Sequence, residues 1–458
     1  MNERRSSTII LSRVSLVLIL ALSAFIQYCV VTRTTMSIPM DSDASSYFSY
    51  AYNLKHSGVY SNLLTWSGEA PPTKLSPDSL RSPGYPLFLL AIPGLDTTDK
   101  YLRRVAWVQG AMGVGSVWLV FLIASRFLPV GWSHFAAAIT ATSPHLAILS
   151  TCLLTESLFL LLLLASIHVT LLAQKTKRRK AFIAAGLLWG ICSLVRPTVL
   201  FIPPLLLVAT FVVPKLYAWR KFALLMFAGF FFIQSPWHVR NQLTALDPAQ
   251  GSLMVFTLHH GSYPGFMYED RPETYGWPFR FAPRGEDAER DLSSALFHIA
   301  KKFQEQPLTY ARWYLLGKPG FFLSWGYVQG HDIYVYETPR SPFKDDVLFV
   351  TMRAVAYYLH WPLMLLGLSA AFLVWWRPQW LRLENESLLA AKMVSIIVLY
   401  AIAFHMIAAP FPRYGVPFRP LLYTLALTLV SALIAGKQRS RPNSWNEQFR
   451  DNPAATSN

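Results

Sequence analysis

Two carboxylates stand two residues apart in Pro39-Met-Asp41-Ser-Asp43-Ala-Ser-Ser-Tyr47, just behind the chain's first long apolar run. A carboxylate at the low-dielectric edge of a membrane holds its proton more tightly than in water, which suits a general base. The same oxygens suit a divalent cation. Helix capping is the plainer reading, because Asp43 directly precedes the helical stretch Ala44–Leu54. A third acidic group, Glu156 of Thr155-Glu156-Ser157, heads the apolar run Leu158–Ala165. At that depth it must face a cavity or a partner, or else snorkel to the interface.

Arginines recur at the corresponding level. Arg81 precedes Ser82-Pro-Gly-Tyr-Pro86, Arg196-Pro197 joins two apolar runs, Arg240 follows Trp237-His238, and Arg413-Tyr414 precedes the last run. Guanidinium groups match phosphate and carboxylate oxygens in charge and shape. Four such arginines beside three carboxylates describe a site for an anionic substrate at a lipid–water boundary. Ion pairing among the same groups is the structural alternative. His238, His259, His260 and His331 share that side, but their spacing fits no metal-site pattern.

The elements that must position these groups are long and apolar. Of 458 residues, 53% are hydrophobic and only 14% charged, where a soluble chain carries about a quarter charged. The apolar residues gather in blocks of roughly 20, the length that crosses a hydrocarbon core. Ten spans are predicted: Ile9–Val31, Tyr101–Phe127, Val130–Ser150, Cys152–Ala173, Ala181–Val195, Thr198–Val213, Phe222–His238, Val350–Trp376, Ser387–Ala409 and Val416–Ala435. Residues 1–435 thus form one all-α polytopic membrane unit, and the polar tail 436–458 is expected to be a disordered cytoplasmic extension. With Arg4 and Arg5 inside, the clusters Lys175–Lys180, Lys215–Lys221, Arg377–Arg382 and Lys437–Arg441 also fall inside, as the positive-inside rule requires.

That topology leaves two long outer-face loops, about 32–100 and 240–348, rich in Tyr, Trp and Phe. Within them Tyr47–Leu54 and Leu292–Phe303 read as interfacial helices, and Tyr310–Tyr327 as an outer-face helix broken by Pro319. Pro203-Pro204 is a candidate break in the sixth span. Cys29, Cys152 and Cys192 all lie in apolar segments and are expected to pack as small apolar residues. The formal charge of +16 follows from the inner loops, and no nucleic-acid-binding signature accompanies it.

Several segments resemble one family. Asp43-Ala-Ser-Ser-Tyr47, Ala51-Tyr-Asn53-Leu54, Gly58-Val-Tyr60-Ser61 and Arg81-Ser-Pro83-Gly84-Tyr85-Pro86 are similar to the first outer loop of GT-C superfamily membrane glycosyltransferases. The nearest branches are family 39, which includes the protein mannosyltransferases, and the aminoarabinose transferases. Thr155-Glu156-Ser157-Leu158, Arg196-Pro197, Pro236-Trp237 with Arg240-Asn241, and Arg413-Tyr414 with Pro417 and Pro420 extend the likeness from Asp41 to Pro420. Ala44 and Gly415 stand where the family often carries an acidic and a basic residue.

The resemblance implies inverting transfer of a sugar from a polyprenyl-phosphate donor to a glycan, lipid or protein acceptor. The expected setting is the periplasmic face of a bacterial inner membrane, without nucleic acid. It implies Asp43 as the base that activates the acceptor hydroxyl, with Asp41 as substitute and Glu156 assisting. Arg81, Arg196, Arg240 and Arg413, with Tyr47 and Tyr85, would bind the substrate. No cofactor is certain, and Asp43 with Glu156 is the candidate pair for a divalent metal. An O-antigen ligase or polymerase and a non-enzymatic flippase of lipid-linked sugars are the competing readings.

Overall fold

Every regular element of the described residues is a helix, and an isolated antiparallel bridge joins Thr35 to Arg340. The computed structural model describes residues 2–65, 75–244, 252–283, 289–328, 330 and 332–439. The expected disorder of the tail therefore lies outside the described residues beyond Arg439, as does His331. The all-α polytopic fold class is borne out.

In chain order the helices are α1 (Asn2–Arg33), α2 (Asp43–Ser57), α3 (Gly84–Ala91), α4 (Asp99–Ala124), α5 (Val130–Ala141), α6 (Pro144–Leu149), α7 (Glu156–Thr176), α8 (Arg179–Val195), α9 (Ile202–Val212) and α10 (Arg220–Leu243). The second long loop carries α11 (Leu253–Gly261), α12 (Leu292–Glu305), α13 (Pro307–Arg312) and α14 (Lys318–Leu323). The chain closes with α15 (Val347–Trp376), α16 (Asn385–Ile407) and α17 (Arg419–Arg439).

Among the described residues, seven segments are long and apolar enough to cross a bilayer: Ile10–Arg33, Asp99–Ala124, Glu156–Thr176, Pro214–Leu243, Val347–Trp376, Asn385–Ile407 and Pro412–Ala435. The other three predicted spans are present as shorter helices. Pro144 divides one into α5 and α6, because the ring of a proline keeps the residue before it out of the helical region. α8 has 17 residues and opens on Arg179-Lys180, and α9 has 11. The predicted span Thr198–Val213 is interrupted just ahead of the prolines at 203 and 204: a 3-10 turn, Pro197–Val199, comes first, and α9 starts afresh at Ile202. The two prolines sit in the first turn of α9, where a missing N–H leaves no bond unmade.

Large apolar side chains point outward along these helices, among them Val17, Leu18, Phe232, Leu365 and Trp376. A fold that exposes this much apolar surface is built to face lipid. Cys29, Cys152 and Cys192 are buried and unpaired, as expected.

The tightest helix pair is α8 with α10. A Cβ placed on Gly186 would lie 1.9 Å from the Met226 carbonyl oxygen, and one on Gly229 would lie 2.5 Å from the Ile183 oxygen. Glycines on both helices thus let the backbones touch, the usual device where lipid supplies no hydrophobic drive. Gly186→Ala is expected to lower stability by about 1–3 kcal/mol through overpacking, read as a fall in the unfolding temperature in detergent. Gly131→Ala is the control, because nothing lies within 4 Å of its added Cβ. Equal unfolding temperatures for the two variants would contradict this packing account.

One loop prediction is corrected. Pro319 does not break the helix of the second loop. Helical backbone runs from Pro307 to Leu323, and Trp313–Gly317 forms a single π-helical turn just before the proline. The wider turn relieves the clash between the proline ring and the preceding carbonyls.

Candidate active site

Asp43 opens α2, and its carboxylate does not cap the helix. Ser42 occupies the capping position, with no side-chain cap bond and an unusual φ of 48°. A non-glycine residue held there stores of order 1–3 kcal/mol of strain, a feature that concentrates at functional sites. The Asp43 carboxylate instead receives two guanidinium groups: Nη2 of Arg81 at 2.6 Å on one oxygen and Nη2 of Arg413 on the other.

Arg413 continues the chain of charges. Its Nε lies 3.2 Å from Oε1 of Glu156, and Nη1 of Arg196 lies 3.3 Å from the same oxygen. Residues far apart in sequence thus line up as Arg81, Asp43, Arg413, Glu156 and Arg196. Three cations and two anions leave this chain one positive charge in excess.

Each member is delivered by a recognisable piece of sequence. Glu156 is the first residue of α7 and only 2% exposed, so the helix dipole favours its negative charge. It does not snorkel. Arg196 is the residue at which α8 ends; its guanidinium lies over the ring of Tyr414 at 4.2 Å and that of Phe159 at 5.6 Å. Arg413 lies in a single helical turn, Pro412–Gly415, leading into α17. Arg81 is placed by Pro83-Gly84, since a Cβ on Gly84 would lie 2.6 Å from the backbone nitrogen of Val195. That close approach seats α3 on the end of α8, beside Arg196. Tyr47 lies under Arg81 at 5.3 Å, and Tyr85 meets Tyr47 edge-on at 5.1 Å while donating to Gln109.

Two predicted site residues lie apart. Asp41 is exposed and joins no ion pair among the described residues. Arg240 reaches neither carboxylate: it donates to the carbonyls of Asp78 at 2.7 Å and Tyr60 at 3.5 Å and lies over Tyr60 and Trp237. Its role is one layer behind, bracing the loop that carries Arg81. Buried Asp78 completes that brace by accepting from the Tyr50 hydroxyl and from the backbone of Asn62 and Leu80.

The electrostatics also revise an expectation. Burial alone would raise the proton affinity of Asp43, but Arg81 and Arg413 outweigh it and hold the carboxyl well below the ordinary range. The resting group is a firmly ionised carboxylate rather than a base tuned upward. A divalent cation finds poor terms here, because both carboxylates are engaged by guanidiniums in a locally positive site. Among the described residues no three His, Cys, Asp or Glu side chains converge on one point. Of the outer histidines, His259 bonds Glu289 at 3.0 Å and Tyr263 at 2.8 Å, and His260 bonds the Gly276 carbonyl.

Tyrosines from the second loop complete the site, and sequence reasoning missed them. The hydroxyls of Tyr327 and Tyr336 are buried without a hydrogen-bond partner among the described residues, as is Nε of Arg81. Burial pushes both phenols up, so they stay protonated donors, and both lie within electrostatic reach of Arg413 and Glu156. The loop's aromatic richness was visible in the sequence, but nothing singled these two tyrosines out.

Comparison with known proteins bears out the resemblance seen in the sequence. Residues 89–239 match the model of the dolichyl-phosphate-mannose-protein mannosyltransferase family. That stretch holds Glu156 and Arg196, while Asp43, Arg81 and Arg413 lie outside it. No curated protein sequence matches the chain. Among solved structures, the archaeal oligosaccharyltransferase AglB from Archaeoglobus fulgidus, in complex with an inhibitory peptide and a dolichol-phosphate, is similar at 13% identity and a TM-score of 0.49 over 96% of this chain and 52% of its own. ArnT from Cupriavidus metallidurans, bound to undecaprenyl phosphate, is similar at 15% identity and a TM-score of 0.46 over 94% of this chain and 61% of its own. The chain thus spans about half the length of the first of these proteins and about three fifths of the second.

Proposed function

We propose that this protein transfers a sugar from a polyprenyl-phosphate donor to an acceptor at the periplasmic face of a bacterial inner membrane. The observation that carries the reading is the chain Arg81–Asp43–Arg413–Glu156–Arg196, which joins one candidate base to a cluster of phosphate-matching cations. The matched family's lipid-phosphate donor supports it.

In the reaction the acceptor hydroxyl oxygen bonds to the anomeric carbon as the bond from that carbon to the phosphate oxygen breaks. The phosphate leaves with the electron pair, and the hydroxyl proton passes to Asp43. Charge grows on the leaving phosphate, where prearranged guanidiniums contribute most. The unpartnered Nε of Arg81 and hydroxyls of Tyr327 and Tyr336 supply further donors. When a phosphate draws Arg81 and Arg413 toward itself, Asp43 loses part of the field that keeps it ionised. Its proton affinity then rises, so the donor itself readies the base.

An apolar recess of about 420 Å3 between α1, α6 and α15 offers cover for the near part of a prenyl chain. Phe25, Ile26, Leu359 and Leu363 line it together with His145, whose ring meets that of Tyr327 at 5.5 Å. The test is mass spectrometry of envelope lipids and glycans from cells lacking the protein. The expected result is loss of one sugar from an otherwise intact acceptor. Loss of whole glycans with lipid-linked precursors accumulating would overturn the reading in favour of a ligase or flippase.

A further inference from the structure

The first three turns of α4 carry Lys100, Arg103, Arg104 and Trp107, which together line one open recess of about 380 Å3. At about 100° per residue these four share a helix face, and Ala111 and Trp118 continue it downward. Trp107 and Trp118 are 40% and 47% exposed, and the Trp107 ring packs 5.8 Å from that of Tyr28 on α1. The stripe is therefore cationic at its head and apolar along its length. From Arg104 to Trp118 it runs about 20 Å, enough to span one leaflet of roughly 15 Å.

No ion pair within the described residues engages any of the three cations; Arg104 alone is fixed, through the Pro93 carbonyl at 2.9 Å. The head of α4 lies at the same end of the molecule as the charged chain described above. Lys55 of α2 donates to the Leu95 carbonyl just before it, and Gln109, further along α4, takes the Tyr85 hydroxyl. Three cations at that end run against the positive-inside bias and call for an anionic partner. Charge complementarity and the apolar continuation identify it as a lipid rather than a soluble anion.

We infer that this stripe is a binding site for an anionic phospholipid of that leaflet. The headgroup phosphate sits among Lys100, Arg103 and Arg104, and an acyl chain lies along Trp107 and Trp118. The site is separate from the transfer site and does not depend on the transfer reading.

The test is native mass spectrometry of the full-length protein in neutral detergent, titrated with phosphatidylglycerol, phosphatidylcholine or inorganic phosphate. The wild type is expected to hold phosphatidylglycerol at least 10-fold more tightly than phosphatidylcholine. Lys100→Gln, Arg103→Gln and Arg104→Gln together should erase that preference, at roughly 5-fold per cation. Should the triple variant aggregate, Arg103→Gln alone carries the test, since Arg103 is exposed. Phosphatidylglycerol with brominated acyl chains should quench the wild type more than Trp107→Phe, which locates the lipid on α4. An unchanged preference in the charge variants, equal quenching, or equally tight retention of inorganic phosphate would each overturn the assignment.

Discussion

Arg413→Gln will be the most damaging single change in the site, lowering stability by about 3 kcal/mol and, on the proposed function, removing transfer as well. Among the described residues Arg413 is the one cation that touches both carboxylates, and Glu156 is only 2% exposed. Removing one partner of a buried ion pair leaves an uncompensated charge, at about 3–5 kcal/mol. The lower end applies because Arg81 still holds Asp43 and Arg196 still holds Glu156. Thermal unfolding in detergent measures the loss. The double variant Arg413→Gln with Glu156→Gln should recover part of it, because neutral glutamine no longer needs a counter-ion. Additive effects of the two changes would show that the pair is not coupled.

The pH dependence gives the same prediction a sign. Asp43 has a depressed folded pKa, so its pairing adds stability above the ordinary carboxylate value and loses it only as pH falls toward the folded value. Arg413→Gln removes one of the two charges responsible, so the Asp43 pKa must rise. The variant should therefore lose its Asp43 contribution at a higher pH than the wild type on acid titration. Identical acid profiles would mean that Arg413 does not govern Asp43.

Much of this arrangement was legible in the sequence, for physical reasons. An arginine or carboxylate beside an apolar run must find a partner, and Asp43, Arg81, Glu156, Arg196 and Arg413 found one another. Arg240 looked the same in sequence because a guanidinium serves backbone carbonyls as readily as carboxylates, and only the fold decides which are near. Capping by Asp43 was reasonable from position alone, but two arginines outcompete the backbone amides of one helix end. Helix positions were readable and crossing was not: α5, α6 and α9 are apolar, yet their lengths depend on Pro144 and on the prolines of α9's first turn. Tyr327 and Tyr336 were out of reach, since a tyrosine in an aromatic loop carries no mark until the chain returns it to Arg413.

Asp43→Asn separates the base role proposed for that residue from its observed role as a counter-ion. Asparagine keeps the shape of aspartate but cannot take the acceptor's proton. Loss of a positioned base lowers transfer by about 10²–10⁴-fold. Donor binding should move the other way, because Arg81 and Arg413 are freed from their carboxylate and stay available to phosphate. The expected result is a large fall in kcat with an unchanged or lower KM for the donor, the pattern of a group that acts in the transition state. In cells, Asp43→Asn at matched expression should fail to restore the missing sugar. A variant that restores it fully would leave Asp43 as an organiser of arginines, and the base would have to be sought at Glu156. A raised KM with unchanged kcat would place Asp43 in binding alone. Asp41→Asn is the internal control: exposed and without an ion pair among the described residues, it should leave both constants as they are. A loss at Asp41 matching that at Asp43 would move the chemistry out of the buried chain and onto the loop before it.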